Sequence, residues 1–237
     1  NFKPDRARFF ATDMSNSGAE TALTFVGQYK SLLNDMVLAE NWAFADEAET
    51  VETIDRLTRA VGPFGVKDKK LKPKKKGLNI EALAVQADGS GFLIGFRNPV
   101  PKGKALIVPL DNGEALVDGS ADAAVFGRPV MLDLGGLGLR SMAYVAARGM
   151  YVLVAGPIDS EAGFKLFQWS GVADDPAVLL GDLRSGKGIS PEAVVVYAGN
   201  PRVQILHDEG KRGLDGGDCN DASAVKQSFT DQWYLWE

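Results

Sequence analysis

The 237-residue sequence predicts an all-β fold, a β-propeller that is partial or completed by another segment, with a helical insertion. Three observations carry that prediction. A motif recurs three times, as Leu78–Val85 (LNIEALAV), Leu137–Tyr144 (LGLRSMAY) and Ile189–Val196 (ISPEAVVV). Each copy sets a charged residue, Glu81, Arg140 or Glu192, just ahead of a short apolar run, at separations of 59 and 52 residues. Periods of this length mark supersecondary units that bury their cores against one another. Turn signals punctuate the apolar runs, notably Asp88-Gly89-Ser90-Gly91 and Gly199-Asn200-Pro201. The 27 glycines, rather more than average usage, also favour a turn-rich β architecture over a helical bundle.

The elements follow in order. Residues 6–12 read as a strand and Asp13 to Gly18 as a polar turn. In residues 31–62 the apolar positions Val51, Ile54, Leu57 and Val61 recur at helical spacing. Asp46 with Glu49 resembles a capping pair, and Gly62-Pro63 is a stop. Strands are expected at Ala82–Val85, Phe92–Phe96, Ala105–Leu110, Val130–Leu134, Ser141–Val145, Met150–Ala155, Lys165–Trp169, Ala193–Tyr197 and Val203–His207. The organisation expected is one propeller-type domain over residues 1–237. Within it lie the helical insertion at 31–62, a basic loop at 67–76 and a C-terminal extension at 211–237. The extension ends in Trp233-Tyr-Leu-Trp236, too aromatic to be left in water and expected to pack on the body.

Composition excludes several classes. No apolar run approaches the ~18–20 residues of a membrane span, so a soluble protein is expected, in an unknown compartment. The single Cys219 rules out an internal disulfide and a cysteine-based zinc site. The net charge of −5 combines a basic loop, seven lysines and one aspartate in residues 67–76, with an acidic remainder. That distribution argues against nucleic acid as a partner, which calls for a basic face.

Several motifs fall short. Gly181-Asp-Leu-Arg-Ser-Gly-Lys187-Gly188 has glycine where a phosphate-binding loop needs Ser or Thr, and a strand start follows it. Gly135-Gly136-Leu-Gly138 lacks the context of a dinucleotide site, so no nucleotide cofactor is expected. No Ser occupies a Gly-x-Ser-x-Gly elbow. His207, the one histidine, reads as a strand-end residue partnered by Asp208 and Glu209. Asp215, Asp218, Asn220 and Asp221 read as a solvated turn, since their spacing is not that of a calcium loop.

The three repeated charges are the stronger constellation. First strands of propeller blades line the central channel, so Glu81, Arg140 and Glu192 are expected to converge. Glu81 and Glu192 are hard oxygen ligands suited to calcium or magnesium, and Arg140 can grip an anion. A structural ion-pair network is the alternative.

The segments Asn79–Ala84, Gly95–Pro99, Lys104–Leu110, Leu132–Met142 and Pro191–Ala193 resemble, in that order, a bacterial family catalogued as domain of unknown function 3616. The resemblance runs from about residue 6 to residue 210, and Leu132-Asp-Leu-Gly-Gly-Leu-Gly-Leu-Arg-Ser-Met142 is its most specific part. The family is similar in style to phytase-like and esterase-like propellers, whose Glu-Gly-Leu-type motifs point a Glu into the channel. Two departures stand out. The family has a Ser-His-type segment after the first strand where this chain has Asp13-Met-Ser-Asn16. A Leu-Ser-Asp-Asp-Gly pattern appears as Leu206-His-Asp-Glu-Gly210, matching at Asp208. The family domain also begins before Asn1, so a missing N-terminal segment or a second chain is expected to complete the propeller.

The expected ligand-binding set is therefore Glu81, Arg97, Arg140, Glu192 and Asp208, with Glu81 and Glu192 as metal ligands. The leading function is binding of a divalent cation or a small anionic ligand in the channel. The rivals are a metal-dependent phosphoesterase or esterase, with the lysine loop attracting substrate, and a protein-interaction scaffold.

Overall fold

The computed structural model describes residues 7–17, 20–62, 69–72, 75–159, 163–214 and 216–236. Strands β1 (Phe9–Ser17) and β2 (Glu20–Tyr29) pair as an antiparallel hairpin. Thus Asp13–Ser17, expected within a turn, continue β1 and pair with β2 from Thr24 to Glu20, and Gly18 lies outside the described residues. The insertion contains α1 (Leu32–Asp35), a 3-10 turn at Ala39–Asn41 and α2 (Ala48–Val61). The buried residues of α2 are Thr50, Thr53, Leu57 and Ala60, while Val51 is half exposed. Of the expected apolar positions Leu57 is buried and Ile54 packs against the same core, and the small Thr50, Thr53 and Ala60 complete the face. The side chain of Glu47, at the N-cap, makes no cap bond. At the other end Gly62 terminates α2 with φ +66°, and Pro63 lies outside the described residues.

Three antiparallel meanders follow. The first is β3 (Asn79–Val85), β4 (Phe92–Asn98), β5 (Ala105–Leu110) and β6 (Val130–Leu132), with the short α3 (Gly113–Asp118) between its last two strands. The second is β7 (Gly138–Val145), β8 (Met150–Gly156), β9 (Lys165–Trp169) and β10 (Val178–Asp182). In the third, β11 (Ser190–Val196) pairs with β12 (Arg202–Asp208). A two-stranded ribbon, β13 (Gly213–Leu214) and β14 (Gly217–Asp218), then precedes β15 (Asp231–Leu235), which adds to β12. Each meander is hydrogen-bonded in chain order and each sheet is open. The all-β expectation holds at that level. At the expected hairpin, Asp88 Oδ1 accepts from Ser90 N and Oγ, and Gly89 takes φ +75°.

The sheets stack as layers, which explains the near-continuous apolar runs of β5 and β8. Ala105 and Ile107 of β5 join Tyr151, Leu153 and Ala155 of β8 in a core between the first two meanders. Leu106, Val108 and Leu110 face the insertion, meeting Met36, Trp42, Leu57 and Phe126. Val152 and Val154 turn to the third meander, meeting Val194, Val203, Ile205 and Trp236. Each Leu, Ile, Val, Met or Phe side chain so buried contributes about 1.5–3 kcal/mol. The aromatic C-terminus packs as expected at Trp236, whose Nε1 donates to Gln168 Oε1 at 2.7 Å under the Arg148 guanidinium. Trp233 and Leu235 remain about half exposed on β15. Among the described residues, no helix is long and apolar enough to cross a membrane.

Candidate functional site

The repeated charges occupy one structural position. Glu81, Arg140 and Glu192 are each the third residue of their meander's first strand. In each strand the register skips that residue: Ile80 pairs with Phe96 and Ala82 with Gly95. Leu139 likewise pairs with Ala155 and Ser141 with Val154, and Pro191 with His207 and Ala193 with Leu206. Three β-bulges therefore sit at equivalent places, and a bulge re-aims the side chain it releases. The sequence repeat was the imprint of this device.

The released side chains meet. Arg140 Nη1 donates to Glu81 Oε2 at 2.9 Å and to Glu192 Oε1 and Oε2 at 3.0 and 3.2 Å. Arg97, from β4, donates through Nη1 to Glu81 Oε1 at 3.0 Å. The Nη2 atoms reach the loop after β8, Arg140 Nη2 to Pro157 O at 3.1 Å and Arg97 Nη2 to Ile158 O at 2.6 Å, while the Nε of each arginine is buried without a partner among the described residues. Asn79 Nδ2 adds a 2.8 Å bond to Glu81 Oε1, and the Arg140 guanidinium lies 4.9 Å from the Phe164 ring centroid. Nothing in the patterning singled out Asn79 or Phe164, although Asn79 stands within the repeated motif. Gly138 lets β7 approach β4, since a Cβ there would meet Arg97 O at 2.1 Å.

Burial grades the cluster. The Arg140 and Arg97 side chains are 2% and 5% exposed, Glu81 21% and Glu192 36%. Burial lowers the Arg140 pKa against the opposing pull of Glu81 and Glu192. The Glu192 pKa is raised, first by burial and further by the charges of Glu81 and Asp208, with Arg140 opposing. Both partners of that pair are thus pushed toward their neutral forms, so desolvation outweighs their attraction. Asp208 lies on the exposed end of β12, opposite Ser190, and its Oδ1 accepts Gly210 N–H at 2.8 Å.

Of the expected site, Glu81, Arg97, Arg140 and Glu192 form one hydrogen-bonded cluster, while Asp208 acts on it through its charge. The expected metal ligands Glu81 and Glu192 meet guanidinium groups, and both Glu81 oxygens are engaged. Among the described residues no group of three or more His, Cys, Asp or Glu side chains is gathered to hold a metal ion. His207 differs from expectation: Nδ1 pairs with Thr230 O at 3.0 Å, while Glu209 pairs with Arg184 and Arg212. The segment at Gly181–Gly188 leads into the Gly186–Ile189 bridge and β11, a strand where a phosphate-binding loop would open a helix. Lys69, Lys70, Lys72, Lys75 and Lys76 of the basic loop are exposed, and Lys67 and Lys74 lie outside the described residues. So does Asp215; Asp218, Asn220 and Asp221 lie exposed on the ribbon end and the 3-10 turn that follows it.

The fold and site together define an all-β protein of open antiparallel meanders joined through a buried arginine–glutamate centre. Residues 40–183 match the model of a family described as protein of unknown function (DUF3616), and the chain belongs to that family. Glu81, Arg97 and Arg140 fall within the match, whereas Glu192 and Asp208 lie beyond it. A search of curated proteins gave no match.

Proposed function

We propose that this is a binding protein for a small anionic ligand, held where Glu192 now closes on Arg140, with the three meanders as successive blades of a propeller. One observation carries the reading. Arg97, Glu81 and Arg140 form a buried triad with one positive charge in excess, and a half-exposed Glu192 supplies the balance. A buried charge must be compensated. Here the compensating group is the least buried of the four and is pushed toward its neutral form. A ligand carboxylate or phosphate can replace it with better geometry, since arginine accepts such groups bidentately. Equivalent bulges in three chain-ordered meanders support the blade arrangement.

The test is calorimetric titration of inorganic phosphate and of succinate into the parent protein and Glu192→Gln. The substitution removes the internal competitor, so it should tighten binding by about tenfold. Lowering the pH through the Glu192 pKa should strengthen binding to the parent, because protonation frees Arg140. Absence of saturable heat with both anions in both proteins would overturn the proposal and leave the cluster a structural clamp.

A further inference from the structure

A second site lies beyond β12, where residues 206–210 and the segment 219–229 enclose an open pocket of about 370 Å³. Its lining includes His207, Asp208, Cys219, Asn220, Gln227 and Phe229. His207 is 4% exposed. Its Nδ1 faces the Thr230 carbonyl at 3.0 Å, and a carbonyl oxygen only accepts, so Nδ1 carries the proton. That leaves Nε2 as the ring's acceptor, and it is buried with no hydrogen-bond partner among the described residues. A buried imidazole acceptor without a donor is costly to keep unless water or a ligand donates to it.

The rest of the lining sets the ligand's charge. Glu209 is held by two arginines outside the lining, Arg212 Nη1 at 2.9 Å and Arg184 Nη2 at 3.5 Å, a group with one positive charge in excess, and the Thr230 hydroxyl donates to it as well. Asp208 has no ion-pair partner among the described residues, and only its Oδ1 is bonded there, to Gly210 N–H. The Gln227 Nε2 donor is spent on Asn220 O and Ala222 O, which leaves its carbonyl oxygen as an acceptor. Phe229, 65% exposed, adds an aromatic ring to the lining. No lysine or arginine lines the pocket among the described residues. Acceptors, one carboxylate outside any direct ion pair among the described residues, and an aromatic ring make up the chemistry of a site for N–H donors.

We propose that this pocket binds a small organic ammonium ion, whose N–H groups satisfy His207 Nε2 and the Asp208 carboxylate while its alkyl part packs on Phe229. The lining shares no residue with the cluster of Glu81, Arg97, Arg140 and Glu192, although the Asp208 charge is felt at Glu192, so the anion reading above can fail without touching it.

His207 is the one histidine, so the imidazole ¹⁵N resonances of the labelled protein report on the pocket without ambiguity. Propylammonium chloride is titrated against 1-propanol, each at constant chloride. Propylammonium should give a saturable shift at Nε2 that propanol does not. Asp208→Asn, with its fold checked in the same spectra, should weaken propylammonium binding about tenfold or more. Phe229→Leu should weaken it less. No saturable shift, an equal response to propanol, or unchanged binding in Asp208→Asn would each overturn the proposal.

Discussion

Replacing Glu81 with Gln keeps the shape of the centre and removes its buried negative charge. In the parent, Glu81 accepts from Arg97 Nη1 at 3.0 Å, Arg140 Nη1 at 2.9 Å and Asn79 Nδ2 at 2.8 Å. The glutamine retains one acceptor oxygen but turns an amide toward a guanidinium. Two arginine side chains, 5% and 2% exposed, are then balanced by Glu192 alone. Breaking a buried pair on one side costs about 3–5 kcal/mol. Glu81 itself is 21% exposed, so water relieves part of this, and about 3 kcal/mol is the expected loss. Urea unfolding followed by tryptophan fluorescence reads it as a midpoint lowered by about 1 M or more. Glu192→Gln should shift stability by less than about 1 kcal/mol, since its side chain is 36% exposed. Equal effects from the two substitutions, or a loss below about 1 kcal/mol for Glu81→Gln, would refute the graded-burial argument.

Three further outcomes are expected. The raised Glu192 pKa means that the fold favours the protonated form. Its contribution to stability is therefore complete below the ordinary value of 4.5 and is lost as pH rises through the raised value; urea midpoints across that window should show the slope in the parent and lose it in Glu192→Gln. Tyr29 and Tyr151, pushed up to about 12 mainly by burial, should ionise late in an ultraviolet titration. Stability linked to them is intact below 10 and lost between 10 and about 12, and Tyr29→Phe, which strips the Asp35 carboxylate of a donor, should remove one late transition. Gly138→Ala would press a Cβ on the Arg97 carbonyl and should cost about 1–3 kcal/mol, measured by the same unfolding assay.

Where local chemistry decides structure, the elements were legible. Ala105–Leu110 and Lys165–Trp169 fold as the strands their apolar runs predict, and Asp88-Gly89 turns as its residues require. Elements whose pattern is polar or mixed were not. Strand β2 carries Thr, Gly and Gln among its apolar residues, and β10 is short with a glycine inside, so neither shows a clean period. Of the helical positions that hydropathy marks in α2, Leu57 and Ile54 pack on the core, while Thr50 and Thr53, polar in that pattern, are small enough to be buried beside them. The centre was legible in part: the threefold repeat picked out Glu81, Arg140 and Glu192, while Asn79, Phe164 and the carbonyls of Pro157 and Ile158 left no signal.

By itself the sequence determined that the chain builds repeated β units and that each repeat carries a charge at one equivalent position. Periodicity, turn residues and spacing are properties of neighbouring residues and survive in one dimension. Only the tertiary structure decided what those charges do. Three bulges turn Glu81, Arg140 and Glu192 toward one another across different sheets, and Arg97 enters from a fourth strand. Stacking also decided that Glu192 stays half exposed while its partners are buried, and that His207 keeps a bare nitrogen beside Asp208. Burial and distance between residues more than 50 positions apart belong to the packed chain, and they set which charges are clamped and which stand open to a ligand.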